Sequence, residues 1–131
     1  MALGISKELA EDAAQLSPAV LAYVGDAVYE LFVRTQLIDR GVRRPGQLHR
    51  QAVELVRAEA QARFVQEILP ELAEDERELI RRGRNSKAGH VPKGVDPIVY
   101  RYSTGFEVLL GYLYLCGRQE RLREILAMSC Q

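Results

Sequence analysis

Apolar residues recur at intervals of three and four along most of this chain, the spacing that places side chains on one face of an α-helix. The pattern predicts helices over residues 6–15, 18–40, 45–70, 73–83, 97–117 and 118–130. Ser17 and Asp96 each precede a proline and are predicted to cap the helices that follow, whereas Gly83 is predicted to stop the fourth helix. No segment alternates apolar and polar residues as a strand would. The sequence therefore predicts an all-α fold.

The segment over residues 84–95 interrupts the helical pattern with glycine, proline and polar residues. It is longer than a connection between packed helices usually needs, so we expect a flexible loop over residues 84–96. Although the chain has no net charge, residues 81–95 contain six basic side chains and no acid. The segment is therefore either a cationic surface that contacts phosphates or an ordinary solvated loop.

Length and composition limit the class of protein. The chain has 131 residues, of which 47% are hydrophobic, so we expect one core and a single domain over residues 1–131. Charged residues make up 27% of the chain, and no apolar run approaches the roughly 18 residues that span a bilayer, so a membrane protein is not expected. No basic and then apolar leader opens the chain, which favours a cytoplasmic location.

Asp26 and Glu107 are isolated carboxylates in two helices that are otherwise strongly apolar, and we expect both helices in the core. An ionised carboxylate in a core is costly unless it has a partner. A glycine stands close to each acid, Gly25 beside Asp26 and Gly105 near Glu107. Glycine inside a helix indicates that another helix or a ligand approaches the backbone at that point.

Two explanations are compatible with these acids. Each could pair with an arginine such as Arg34 or Arg101, as buried acids commonly do. Alternatively, both could point into one site and hold Mg²⁺, which proteins bind through one or two carboxylates while water and substrate phosphates complete its coordination. His49 and His90 stand in no nucleophile motif, so histidine-based catalysis is not favoured.

The segments around the two acids resemble the motifs of a known family. Residues 23–31, YVGDAVYEL, resemble the signature helix of the ribonuclease III family, in which a glycine–aspartate pair precedes small and apolar residues. Residues 103–115, STGFEVLLGYLYL, resemble that family's second metal-binding helix. The likeness runs from about Leu16 to Gly117. It is closest to the Mini-ribonuclease III subgroup, short bacterial members with the catalytic domain and no appended double-stranded-RNA-binding domain.

This resemblance implies the helical bundle of a ribonuclease III endonuclease domain, acting as a homodimer that cuts both strands of an RNA duplex and leaves 5′-phosphates. It implies that Asp26 and Glu107 are the catalytic residues and the Mg²⁺ ligands. Longer members of the family have two further acids, at positions that Ala22 and Thr104 occupy here. The site is therefore expected to rely more on substrate phosphates. Thr104 and Glu30 are expected beside the site, where Glu30 either orients it or pairs with an arginine.

Without an appended RNA-binding domain, the catalytic dimer itself is expected to hold the duplex. The residues expected to bind RNA are Arg81, Arg82, Arg84, Asn85, Lys87, Lys93 and Arg101. By analogy with the subgroup, the expected substrate is the precursor of large-subunit (23S) ribosomal RNA, with or without the help of a ribosomal protein. Two other interpretations stay open: a catalytically inactive dimeric module that binds RNA or the ribosome, and a helical interaction protein whose acids are salt-bridged.

Overall fold

A computed structural model describes residues 4–86 and 91–129. Seven α-helices form within these residues: α1 (Lys7–Asp12), α2 (Pro18–Asp39), α3 (Pro45–Val56), α4 (Ala58–Ile68), α5 (Glu74–Arg84), α6 (Pro97–Leu115) and α7 (Gln119–Met128). Short 3₁₀ turns at Ala13–Gln15 and Leu69–Glu71 follow α1 and α4. The described residues contain no strand, so the all-α prediction is confirmed.

Helix α6 lies at the centre of the bundle, where it packs against α2, α4, α5 and α7. Its sequence explains this position, because apolar or small residues cover almost its whole circumference. Every residue from Ser103 to Gly111 is buried except Glu107. Across the described part of the chain, no helix combines the length and the apolar character needed to cross a membrane.

The two long helices of the core begin at the predicted caps. The side chain of Ser17 accepts a hydrogen bond from the backbone N–H of Val20 at 3.3 Å, at the start of α2. The carboxylate of Asp96 accepts one from the N–H of Ile98 at 2.8 Å, at the start of α6. Each bond satisfies a donor that the first helical turn leaves unpaired, so both predictions are confirmed.

Glycines let α2 and α6 touch backbone to backbone. Gly25 of α2 lies directly against the carbonyl group of Glu107, and a Cβ atom at Gly25 would overlap that group. Gly111 of α6 packs in the same way against the carbonyl group of Leu21. Asp26 follows Gly25, so this close crossing places it beside Glu107. The expectation that something approaches the backbone at Gly25 is confirmed, and the neighbour is another helix.

Two predicted helix boundaries are wrong. The helix predicted over residues 45–70 is two helices, because Arg57 has an extended backbone (φ −61°, ψ 150°) between α3 and α4. Gly83 does not stop α5, which ends at Arg84. It is buried inside the helix, where a Cβ atom would lie 2.6 Å from the Cα of Gly105 on α6. The absence of a side chain at Gly83 therefore serves close packing of α5 on α6.

Helix α2 is covered by the rest of the chain on one side only. Its buried residues repeat at every fourth position: Leu21, Gly25, Tyr29, Val33 and Leu37. On its uncovered side, Val20, Tyr23, Leu31 and Ile38 are 46%, 82%, 65% and 48% exposed. The expectation that Asp26 is buried in the core is wrong, because it lies on the exposed part of this helix.

Candidate active site

Asp26 and Glu107 line one open cleft of about 420 Å³ between α2, α4 and α6. Helix α2 contributes residues 19, 22, 23 and 26, and α6 contributes residues 100, 103 and 107, so each set follows one face of its helix. Val56, Ala58 and Gln61, at the corner between α3 and α4, form the third side. The two acids singled out from the sequence therefore share a site.

The two carboxylates interact directly, and the interaction is unfavourable while both are ionised. Burial, the negative charge of Asp26 and a hydrogen bond with Asp26 raise the pKa of Glu107 from 4.5 to about 8, and burial is the largest of these causes. A hydrogen bond from the side chain of Gln61 acts in the opposite direction and lowers this pKa. Near neutral pH the pair therefore needs either a shared proton or a cation.

Arginine pairing does not explain these acids. Among the ion pairs of the described residues, none involves Asp26 or Glu107. Arg34, one of the candidate partners, pairs instead with Glu30, with Arg34 Nε 3.0 Å from Glu30 Oε2. Of the two roles expected for Glu30, the arginine pair is the one observed, and Glu30 is not among the described residues that line the cleft.

The two positions that hold further acids in longer ribonuclease III enzymes differ in their relation to the cleft. Ala22 lines it, so a longer side chain there would reach into the cleft. Thr104 is buried, and its hydroxyl group donates to the carbonyl of Tyr100 at 3.0 Å. Thr104 is not among the described residues that line the cleft, so its hydroxyl serves the helix rather than the acid pair.

The arrangement fits a divalent cation held by two carboxylates. The described residues offer no group of three or more His, Cys, Asp or Glu side chains that could hold a metal ion, so Asp26 and Glu107 are the acids available here. A cation between them would remove their repulsion and replace the proton that Glu107 otherwise retains. Oxygen ligands suit Mg²⁺, and the open cleft leaves room for water and phosphate oxygens.

Arg84, one of the residues expected to bind RNA, lies away from the acid pair. Its guanidinium group lies over the ring of Tyr102, 4.2 Å from the ring centre. Helical geometry places Tyr102 on a different face of α6 from the cleft-lining positions 100, 103 and 107. The structure therefore brings Asp26 and Glu107 into one cleft, whereas Arg84 lies outside this cleft.

The other expected RNA-binding residues lie on α5, after it, and on α6. Arg81 is exposed and pairs with Glu78, with Arg81 Nη2 2.6 Å from Glu78 Oε1. Arg82 is half-buried, and Asn85, Lys93 and Arg101 are exposed. Lys87 lies outside the described residues, as do the other residues at positions 87–90 of the predicted loop. Lys93 and Arg101 take part in none of the ion pairs of the described residues, so their charges are available to a partner.

Gln61 is a residue of the cleft that was not predicted from the sequence. Its side chain is 2% exposed, lines the cleft and hydrogen-bonds to Glu107. A signal was present in the sequence, because Gln61 stands at helical spacing from the buried residues Val65 and Ile68. An amide at a core position of α4 is a buried polar group that needs partners, and such a group is a candidate for a site.

Comparisons with known proteins find relatives over most of the chain. Residues 19–118 match the family model described as the ribonuclease III domain. The chain is similar to Mini-ribonuclease 3 of Thermoanaerobacter sp. (strain X514), with 50% identity over 92% of this chain and 85% of that protein. It is 52% identical to Mini-ribonuclease 3 of Symbiobacterium thermophilum over 85% of each chain. A crystal structure of a Fusobacterium nucleatum protein has a TM-score of 0.79 and 26% identity, covering 89% of this chain and 93% of that one.

Proposed function

This chain belongs to the ribonuclease III family and is an endoribonuclease of double-stranded RNA, and we propose that it works with Mg²⁺ held by Asp26 and Glu107. The observation that carries the proposal is the pair of interacting carboxylates in an open cleft, with no basic side chain paired to either in the described residues. Both acids of the family motifs are present and face one cleft, which favours an active enzyme over an inactive binding module.

The side chains of the cleft have separate tasks in this proposal. Bound there, Mg²⁺ would supply the Lewis acid that stabilises charge on the scissile phosphate and favours ionisation of the attacking water. Asp26 and Glu107 hold it, and Glu107 gives up the proton that it otherwise retains up to a pH of about 8. Ala22 and Ser103 are small, so they leave the cleft open to the RNA backbone. The expected products carry 5′-phosphate and 3′-hydroxyl ends.

The cleavage assay compares the wild-type protein with Asp26→Asn and Glu107→Gln on a double-stranded RNA in Mg²⁺. Both variants should lose about 10³-fold or more in rate, a loss of roughly 4 kcal/mol of transition-state stabilisation. Asp39→Asn is the matched control, because Asp39 is an exposed acid at the end of the same helix. Variants that cut as fast as wild type, or cleavage that persists in EDTA, would contradict the metal site.

We propose that two copies pair through the uncovered apolar side of α2, which makes the active particle a homodimer with two clefts. Scattered exposed apolar residues are ordinary, but these four lie along the uncovered side of one helix and offer a candidate interface. A two-fold dimer would present the same patch from each copy. Two clefts in one particle would allow both strands of a duplex to be cut.

Sedimentation of Leu31→Arg tests the dimer, because Leu31 is 65% exposed on that side and does not line the cleft. The wild-type protein should sediment as a dimer and the variant as a monomer. Ile98→Arg, at a site 61% exposed on α6, is the matched control and should remain dimeric. A wild-type protein that stays monomeric at assay concentrations would rule out this interface.

We propose that the duplex is held by the basic residues of α5, of the segment after it and of α6. Duplex RNA is recognised mainly through its phosphates and 2′-hydroxyls, which suits exposed cations such as Lys93 and Arg101. The double variant Lys93→Glu and Arg101→Glu should bind RNA more weakly and with a smaller salt dependence. Arg123→Glu, an exposed arginine on α7, is the control. An unchanged salt dependence would remove these two residues from the RNA surface.

We further propose that the natural substrate is the precursor of 23S ribosomal RNA, processed in the cytoplasm during ribosome biogenesis, with or without a ribosomal protein. Support comes from relatives named Mini-ribonuclease 3 that are about half identical to this chain over most of its length. Precursor transcripts carrying the ends of the large-subunit RNA should be cut at defined positions. Equal and unspecific cutting of an unrelated duplex of the same length would count against this substrate.

A further inference from the structure

Gln61 is a glutamine whose side chain is almost completely buried. It lies in the first turn of α4, just after the break at Arg57, and its side chain is 2% exposed. Val65, one turn further on the same face, belongs to the apolar core and is fully buried. Gln61 is thus a polar residue at the point where the core meets the cleft, and its amide must find hydrogen-bond partners there.

The side-chain amide of Gln61 lies between the α3–α4 corner and Glu107. Its Nε2 donates to the carbonyl of Val56 at 2.8 Å. Val56 is the last residue of α3, so this carbonyl has no partner inside its own helix. Because a carbonyl can only accept, the nitrogen must face Val56, which fixes the orientation of the amide. The side chain of Gln61 also interacts with the Glu107 carboxyl group, which lines the same cleft.

The amide oxygen of Gln61, unlike its nitrogen, has no hydrogen-bond partner among the described residues. Oε1 is buried and accepts no hydrogen bond from any of the described residues. A buried acceptor without a donor is costly, and proteins rarely retain one unless it serves a site. This oxygen belongs to a residue of the cleft wall that also touches Glu107.

We propose that Gln61 is a positioning residue of the metal site, an inference that rests on the proposed function. Its nitrogen holds the Glu107 carboxylate against the α3–α4 corner, so that Glu107 and Asp26 meet the cation together. Its Oε1 is the acceptor for a water molecule held beside the cation. An amide suits this place because it donates to Glu107 without adding a third negative charge to the pair.

A purely structural role makes a different prediction. If Gln61 only satisfies the carbonyl of Val56, its loss would lower the stability of the α3–α4 corner and leave cation binding unchanged. If it positions Glu107, its loss would weaken cation binding as well. The partners that orient metal ligands typically contribute 10- to 100-fold to affinity, so the difference is measurable.

The test is calorimetric titration of the full chain with Mn²⁺, with melting temperatures measured in parallel in EDTA. Gln61→Leu, which keeps the size but not the amide, should bind Mn²⁺ about 10-fold more weakly than wild type. Gln61→Asn should weaken binding similarly, because its shorter side chain cannot reach both Val56 and Glu107, and it serves if the leucine variant does not fold. Val65→Ala is the control on the same buried face, and it should melt earlier with unchanged affinity.

The outcomes separate this inference from the proposed function. Wild-type affinity in both Gln61 variants, whatever their melting temperatures, would overturn the positioning role while the metal site stands. A wild-type protein that binds no Mn²⁺ would overturn the proposed metal site itself. Weaker binding in the Gln61 variants but not in Val65→Ala supports the positioning role.

Discussion

Glu76 on α5 and Glu107 on α6 are two glutamates of the same core with opposite surroundings. Glu76 is fully buried, and Arg121 donates to its two carboxylate oxygens at 2.7 and 2.8 Å. The backbone N–H of Ala73 donates to Glu76 as well, at 2.8 Å. The hydrogen bonds from Arg121 are the main reason why the pKa of Glu76 is lowered, whereas burial beside Asp26 raises the pKa of Glu107 to about 8.

In these two residues, hydrogen-bonding and ionic partners, rather than burial, distinguish a structural carboxylate from one that is available for chemistry. Glu76 is more deeply buried than Glu107, yet it serves the fold, because Arg121 on α7 neutralises it and joins α7 to α5. Glu107 faces a cleft beside a second acid and pairs with no basic side chain among the described residues. An unneutralised acid pair lowers the stability of the protein, and a cation bound between the two acids would remove this cost.

The largest expected effect is on catalysis, at Glu107. Glu107→Gln should lose about 10³-fold or more in cleavage rate and yet unfold no more easily than wild type in EDTA, because the uncharged amide resembles the protonated carboxyl group that Glu107 keeps beside Asp26 in the metal-free protein. Single-turnover cleavage and thermal melting measure the two effects. A variant that keeps its cleavage rate, or one that loses activity only because it unfolds, would mean that Glu107 does not differ from Glu76 in serving catalysis rather than the fold.

Glu76→Gln should show the reverse pattern. Removing this charge leaves Arg121 without its buried partner, which should lower the free energy of unfolding by about 3 kcal/mol. Cleavage per folded molecule should be unchanged, because Glu76 does not line the cleft. Urea unfolding measures the loss, and Glu54→Gln, which breaks an exposed pair with Arg57, is the control with a much smaller effect. Equal stability of the two variants would mean that the Glu76–Arg121 pair is not structural.

The raised pKa of Glu107 should appear in the pH dependence of stability. The folded protein retains a proton that the unfolded chain releases near pH 4.5, so the stability of the metal-free protein should fall as the pH rises from 4.5 to about 8. The contribution of Glu107 to this fall is on the order of 5 kcal/mol. Denaturation in EDTA at several pH values measures it, and Glu107→Gln should flatten the curve. Equal slopes in the two proteins would show that the pKa of Glu107 is not raised.

A smaller effect is expected from adding an acid to the cleft. Ala22 lines the cleft on the same face of α2 as Asp26, so Ala22→Glu should raise the affinity for Mg²⁺, by about 1 kcal/mol or roughly 5-fold. It should also lower the stability of the metal-free protein through repulsion. Titration with Mg²⁺ measures the affinity. An unchanged affinity would mean that position 22 does not reach the cation.

Much of this arrangement could be predicted from the sequence, because helical spacing and the two acids are local features. Periodicity places α2 and α6 correctly, and the surroundings of Asp26 and Glu107 identify the family. What the spacing could not reveal depends on contacts between distant segments. Arg57 breaks a continuous pattern with a single extended residue, which leaves the apolar spacing almost unchanged.

The exposure of α2 and the ion-pair partner of Glu76 also could not be predicted from the sequence. An apolar stripe on α2 predicts burial, but it does not say whether the same chain or a second copy provides the cover. Glu76 lies within a run of acids, and nothing local shows that Arg121, 45 positions further along, neutralises it. Gln61 was missed for the same reason, because its importance depends on Glu107, which meets it only in the fold.

Titration of the metal-free protein with Mg²⁺ at neutral pH, in two buffers of different ionisation enthalpy, shows whether Asp26 and Glu107 hold a cation together. Wild-type protein should bind Mg²⁺ saturably and release a proton on binding, because the cation replaces the proton of Glu107. Asp26→Asn and Glu107→Gln should each lose this binding. Wild-type affinity in either variant would rule out this site, since the two carboxylates would then not hold the cation together.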